Sequence, residues 1–191
     1  VGNPELDPER SENVELGLRH TARHTQVSAH VFRSEVDDFI ERFEVEDSLF
    51  SYRNLTSGTI EGAEVEVLGT WRAWRLESSW LSLSGEGPDG RILPDIPAER
   101  TRVLVGWRSE RFDTSVEWTH RFAKATFGSG EVARAASDGI AAMVAIPLGQ
   151  TTWISLAGEN LRDEHWFPSA DRRASPAPGR TVKLGVRWHR P

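Results

Sequence analysis

The sequence predicts an all-β protein, an antiparallel up-and-down sheet of the transmembrane β-barrel kind. Three observations carry this. Apolar and polar residues alternate with period two in most segments, short and long connections take turns along the chain, and no apolar run approaches the roughly 18 residues of a membrane helix. A low average hydropathy is no objection, because strands that alternate lipid-facing with lumen-facing side chains average out.

The closing segment RTVKLGVRW is the cleanest: Val182, Leu184, Val186 and Trp188 fall on one face, Lys183, Gly185 and Arg187 on the other. In SENVELGLRH, Val14, Leu16 and Leu18 oppose Asn13, Glu15 and Arg19. Ala63, Val65 and Val67 oppose Gly62, Glu64 and Glu66; Val103, Val105 and Trp107 oppose Arg102, Gly106 and Arg108. Val116, Trp118 and Phe122 oppose Glu117, Thr119 and Arg121, and Ile140, Val144 and Ile146 share a face in an alanine-rich stretch. TQVSAHVFRSEVDDFI and WRLESSWLSLS alternate less cleanly, and TTWISLAGEN suits either facing. The stretch 123–137 has room for one short helix, weakened by Gly128 and Gly130.

Short connections are expected near 21–25, 70–74, 109–112 and 148–151, and long ones near 44–52, 85–98, 123–137 and 160–179. A meander with its tight turns at one end and its long loops at the other produces this rhythm, as outer-membrane barrels do. Greek-key sandwiches mix the two ends. About nine strands result, each near the roughly 9–11 residues that span a bilayer when tilted. Single-chain bacterial barrels normally have an even number, so further strands are expected upstream.

Composition narrows the function. The formal charge of -6 argues against a nucleic-acid partner, and the absence of cysteine excludes disulfides and thiolate metal sites. Eight tryptophans stand against one tyrosine, and Trp71, Trp74, Trp107 and Trp188 fall near expected strand ends, where interfacial girdles place them. No acid pair or Ser/His/Asp set has a spacing that specifies catalysis, and no cofactor is implied. The glycine-rich 85–90 and 128–131 lack the lysine and helix of a phosphate loop. Asn54-Leu55-Thr56 matches a glycosylation acceptor only formally.

Four motifs, in order, resemble those of TonB-dependent outer-membrane receptors. The opening loop and strand match through Asn3, Pro4, Glu5, Leu6, Pro8, Glu9, Ser11, Glu15 and Gly17. A Gly-x-Glu pair follows at Gly62 and Glu64, an Asn-Leu-x-Asp turn at Asn160, Leu161 and Asp163, and a Pro-Gly-Arg lead-in to the closing strand at Pro178, Gly179 and Arg180. The resemblance implies the C-terminal part of a plugged barrel of about 22 strands. Residues 1–191 would be about its last nine, with the plug domain, the TonB box and the earlier strands upstream of residue 1. The opening prolines and acids would then belong to an extracellular loop. One departure is the ending: the family usually closes on an aromatic residue, whereas this chain continues past Trp188 through His189, Arg190 and Pro191.

The resemblance further implies an integral protein of a Gram-negative outer membrane that takes up a scarce ligand, foremost a ferric siderophore or other metal complex. Its implied partners are the outer-membrane bilayer, its own N-terminal plug, the inner-membrane TonB complex and a small-molecule or metal-chelate ligand. Glu15, Arg19, Glu64, Glu66, Arg102, Arg108, Glu117, Arg121, Lys183 and Arg187 are the expected lumen-facing contacts for the plug. Asp163, Glu164, His165, Trp166 and Phe167 are the expected ligand-contact loop, since they join charge to exposed aromatics. One histidine among acids does not meet transition-metal spacing. Two other readings fit the periodicity: a complete small barrel of about eight to ten strands acting as an adhesin or lipid-modifying enzyme, and a soluble carbohydrate-binding β-sandwich.

Overall fold

The computed structural model describes residues 2–47 and 49–188. Its strands are β1 (Arg10–Thr21), β2 (Thr25–Asp37), β3 (Ile40–Glu46), β4 (Leu49–Asn54), β5 (Ser57–Trp71), β6 (Trp74–Glu86), β7 (Arg100–Arg108), β8 (Asp113–Arg121), β9 (Ser137–Leu148), β10 (Thr152–Glu159) and β11 (Thr181–Trp188). Nine form one sheet in the order β1-β2-β5-β6-β7-β8-β9-β10-β11, every pairing antiparallel, with β1 and β11 at its edges. β3 and β4 make a separate hairpin. The short turns at 22–24, 72–73, 109–112 and 149–151 lie at one end, and the long connections at the other.

Cross-strand register carries the alternation of each strand onto its neighbours, because a ladder keeps opposed residues on one face. Leu16 opposes Val31, Val31 opposes Ala63, Val105 opposes Val116, and Leu156 opposes both Val144 and Leu184. The result is a continuous apolar face left open to its surroundings, with Val14 73% and Leu184 74% exposed. No second sheet covers it among the described residues, which removes the β-sandwich reading. A complete small barrel would need β1 paired with β11, and they are not paired. β10, which suited either facing in the sequence, turns Ile154 and Leu156 outward by the same register.

Tryptophans mark both borders of the apolar face. At the short-turn end Trp71 opposes Trp74, which opposes Trp107, and Trp188 ends β11. Near the long loops, Trp80 Nε1 donates to Glu99 (2.8 Å) and Trp118 Nε1 to Asp138 (3.0 Å), with His120 Nδ1 2.9 Å from the same Asp138 oxygen. Apolar rings with hydrogen-bonded polar tips suit a boundary between hydrocarbon and water. His189–Pro191 lie outside the described residues.

The two glycine–glutamate motifs share one cause. On the polar face, Glu15, Phe32 and Gly62 form one cross-strand row, and Gly17, His30 and Glu64 the next. Each β2 ring therefore lies between a glycine on one side and a glutamate on the other. A Cβ on Gly62 would sit 2.6 Å from Leu83 Cδ2 and would also overlap the Phe32 ring; one on Gly17 would sit 2.9 Å from His30 Nδ1. His30 Nδ1 reaches Glu15 at 2.7 Å.

Two expectations about the loops are corrected. The connection expected near 44–52 runs from 38 to 56 and carries β3 and β4. Its period was masked because the side chain it buries is an acid: Glu41, 1% exposed, accepts from Arg53 Nε (3.0 Å) and Nη2 (2.7 Å). The stretch 123–137 forms no helix. Lys124 and Arg134 pair through their backbones (2.9 and 3.1 Å), and Gly130 adopts φ 76°.

The long loops dock on one another. Asn3 Nδ2 donates to the Tyr52 carbonyl (3.0 Å), Ile40 N donates to Glu9 (2.7 Å), and the Asn54 amide bonds Asp7 and Asp38. Leu93, 1% exposed, pins the 87–99 loop over Gly58 and Gly85. Gly128 presses so closely on Leu93 and Pro94 that no Cβ would fit. Beside it, buried Glu131 accepts from Asp95 N (3.0 Å), Gly128 N (2.8 Å) and Lys124 Nζ (2.9 Å), and Lys124 Nζ also donates to the Ile96 carbonyl (2.6 Å). Removing one partner of such a buried pair typically costs about 3–5 kcal/mol. The 160–180 loop joins through Val132 N to Ala170 O (2.9 Å) and Arg172 N to Gly130 O (3.1 Å), and reaches the hairpin through Arg172–Glu44 and Arg42–Asp171.

Two tests follow from the faces and the docking. Val65→Arg on the apolar face is expected to destabilise the detergent-solubilised protein by about 2–4 kcal/mol, against less than about 0.5 kcal/mol for the neighbouring polar-face Glu66→Gln. The heat-dependent gel shift measures both. The Arg173 N–H, and then the Arg42 guanidinium, hold the Asp171 carboxyl below the usual aspartate range. A carboxyl with a lowered folded pKa stabilises above its unfolded value of about 4, and that stabilisation is lost as pH falls through the folded value. Hydrogen-exchange protection of β3–β4 is therefore expected to fall as the pH drops below about 4. Asp171→Asn should blunt the fall; an unchanged fall would assign it to other acids.

Candidate functional site: the loop-end vestibule

Where the docked loops meet the polar face they leave a cavity of about 590 Å³. Three loops wall it. The 87–99 loop brings Asp95, Ile96 and Pro97, the 122–136 loop brings Lys124, Glu131 and Arg134, and the 160–180 loop brings His165, Trp166 and Phe167. Arg100 and Arg121, an opposed pair on β7 and β8, rise from the sheet beneath. Arg121 Cζ lies 3.5 Å from the Trp166 ring centroid and Arg134 Cζ 4.0 Å from that of Phe167; His165 meets Phe167 edge-on at 5.2 Å. Guanidinium against an aromatic face is a favourable cation–π arrangement and fixes each ring's orientation.

The aromatic loop expected to contact ligand divides in two. His165, Trp166 and Phe167 line the cavity, whereas Asp163 and Glu164 do not. Asp163, at φ 57°, accepts the Arg180 N–H (2.7 Å), and Asn160, at φ 47°, bonds Glu164 N (2.9 Å), Glu164 O (2.9 Å) and the Pro178 carbonyl (3.1 Å). The Asn-Leu-x-Asp and Pro-Gly-Arg motifs are thus two halves of one clasp closing the loop at its base. Short polar side chains tolerate positive φ and bond nearby backbone, which is why these types occur there.

By register, all the residues expected to face the lumen share the polar face: Glu15, Arg19, Glu64, Glu66, Arg102, Arg108, Glu117, Arg121, Lys183 and Arg187. Several are already paired across strands. Arg102 bonds Glu117 (2.9 Å) and Glu77 (3.4 Å), Arg108 pairs with Asp113, and Lys183 reaches Glu159 (2.6 Å). Arg121 differs, lying under Trp166 in the cavity wall. Among the described residues no cluster of three or more His, Asp or Glu side chains has metal-binding geometry.

Sequence reasoning missed Arg100, Lys124, Glu131 and Arg134. They stand singly in loops or at a strand start, and only the register of β7 on β8 and the folding of two loops brings them together.

Comparison with known proteins places the chain. A family profile described as TonB dependent receptor-like, beta-barrel matches residues 1–189. The vitamin B12 transporter BtuB of Vibrio vulnificus is 32% identical over 68 residues, which is 35% of this chain and 11% of that protein. Among solved structures, the copper transporter OprC superposes with a TM-score of 0.88 at 19% identity, over 96% of this chain and 32% of its own. The ferric-catecholate import receptor Fiu of Escherichia coli K12 does so with 0.76 at 16%, over 98% and 28%. The FrpB iron transporter of Neisseria meningitidis gives 0.77 at 15%, over 96% and 32%. The chain thus spans about a third or less of each of these proteins. It belongs to the TonB-dependent receptor β-barrel family, whose members are integral outer-membrane proteins.

Proposed function

We propose that residues 1–191 form the C-terminal wall and outer loops of a receptor for TonB-dependent uptake of a scarce ligand, foremost a ferric siderophore or other metal complex. The observation that carries this is the 590 Å³ cavity, placed where the long loops fold over the polar face. That volume lies in the range of small-molecule sites, about 300–1,000 Å³. The relatives' names agree on metal complexes and corrinoids as cargo: vitamin B12, copper, and ferric catecholate. In this reading the polar face holds a plug supplied by the rest of the receptor, the open edges of β1 and β11 pair with its other strands, and inner-membrane TonB pulls the plug to release the ligand inward. Polar contacts to a plug in the presence of water remain breakable, so the wall guides without trapping.

Uptake by intact cells tests the proposal. A strain lacking the receptor gene is compared with its complemented parent for accumulation of radiolabelled ferric chelates, copper and cyanocobalamin, with and without a proton uncoupler. Accumulation of one cargo that needs both the receptor and the energised inner membrane is expected. If every cargo enters equally without the receptor, the transport reading falls.

A further inference from the structure

A groove interrupts the apolar face near the short turns. Trp74, Val105, Trp107, Phe112, Thr114 and Val116 line it, and its volume of about 570 Å³ lies within the roughly 300–1,000 Å³ of small-molecule sites. Its cause is a step in side-chain size. Along one cross-strand row Trp74 opposes Trp107 and Trp107 opposes Thr114, so two indoles stand beside a much smaller side chain. The Phe112 ring leans on Trp107 from the 109–112 turn, with centroids 4.6 Å apart. Thr114 Oγ1 donates to the Met143 carbonyl (2.8 Å), which satisfies its hydroxyl within the sheet. The indoles differ from those near the long loops. Trp80 and Trp118 donate to carboxylates, whereas Trp74 and Trp107 Nε1 have no acceptor among the described residues.

Two arginines stand in the turns beside this groove. Arg111 immediately precedes Phe112, and Arg72 follows Trp71, its Cζ 4.8 Å from the Trp71 ring centroid. The two turns are neighbours, joined by Arg108 N donating to the Ala73 carbonyl (2.9 Å). Both arginines are exposed, and neither pairs with a carboxylate among the described residues. Glu110 is the acid of these two turns, and it pairs with neither. Arg75 and Arg108, nearby in sequence, belong to the polar face and have acids of their own, Glu77 and Asp113. Across the four short turns Arg23, Arg72 and Arg111 stand against Glu110. Acids instead outnumber cations at the opposite end, with Glu5, Asp7 and Glu9 in the opening segment and five acids against two arginines in 38–56.

We propose that the groove seats an anionic phospholipid of the periplasmic leaflet, one acyl chain lying against Trp107 and the two valines and the phosphate meeting Arg72 and Arg111. Periplasmic placement follows from membership of an integral outer-membrane family whose barrels keep their short turns on that side, and it holds whether or not the uptake reading does. Indoles with unpartnered N–H groups at the border of the hydrocarbon suit the ester oxygens of a glycerolipid. Basic side chains at a membrane surface attract anionic headgroups. Every phospholipid has a phosphate, so the preference is set by net charge: two arginines against Glu110 favour a lipid that is negative overall. A smooth apolar wall holds all lipids alike, whereas a recess beside two unpaired cations singles out one position and one headgroup class.

The test places the full-length receptor in phosphatidylcholine vesicles that contain a small fraction of one lipid with brominated acyl chains. That lipid is phosphatidylglycerol, phosphatidylethanolamine or phosphatidylcholine. Bromine quenches tryptophan on contact, and the part of the quenching lost in Trp107→Phe reports the groove. Phosphatidylglycerol is expected to fill the groove at a mole fraction about fivefold lower than either zwitterionic lipid, with the gap narrowing as salt rises. Arg72→Gln and Arg111→Gln are each expected to remove most of that preference, and Glu110→Gln to increase it. Thr114→Phe, which fills the recess, should bring phosphatidylglycerol down to the level of the other two. Arg23→Gln removes the same charge from the turn on the far side of β5 and should change nothing. The heat-dependent gel shift confirms that each variant is folded. Equal quenching by the three lipids means ordinary annular contact and overturns the proposal, as does an undiminished preference in the folded double variant Arg72→Gln, Arg111→Gln. Absence of groove quenching by every brominated lipid means that protein covers the groove, for instance a second copy of the receptor, and overturns it as well.

Discussion

A peptide group in hydrocarbon has nowhere to place its N–H and C=O except on another peptide group. That requirement shapes the nine-stranded sheet. It forces a continuous ladder, and the pleat of the ladder then sorts side chains into two faces. One face must suit lipid and the other water. The exposed Val, Leu and Ile rows and the Arg–Glu pairs behind them follow from this sorting. The β1 and β11 edges remain as unpaired ladder positions of this sheet.

Outside the hydrocarbon the requirement relaxes, and the loops meet it differently. Their backbone groups pair with side chains from other loops rather than within a regular ladder. Glu131 is the clearest case, one carboxylate serving two loops and a lysine. Glu9 and Asn54 do the same for the opening segment and the hairpin. The cavity is the space these contacts leave over, so its shape is set by several chain segments at once.

The sheet was legible in the sequence because a membrane strand repeats every two residues and tolerates few exceptions. β1, β7 and β11 could be read residue by residue, and the segregation of turn lengths gave the meander. The β3–β4 hairpin was not legible, because the buried position that would reveal its period holds Glu41, neutralised by Arg53 twelve residues away. The cavity was half legible. Trp166 and Phe167 announced themselves as aromatics in a polar loop, but Arg100 and Arg134 look like any surface arginine until the fold sets them beside those rings. Asp163 shows a role the sequence did not announce: its carboxylate accepts the Arg180 N–H and closes the base of the loop.

The Glu131 crosslink bears on how the loop set can vary. The 87–99, 122–136 and 160–180 segments share buried donors and acceptors, so none can be exchanged alone without stranding a polar group in its neighbours. Exchanging a single one of these loops would therefore strain the other two. A change at Arg100, which lines the cavity and makes no side-chain bond to a loop among the described residues, leaves those shared contacts intact.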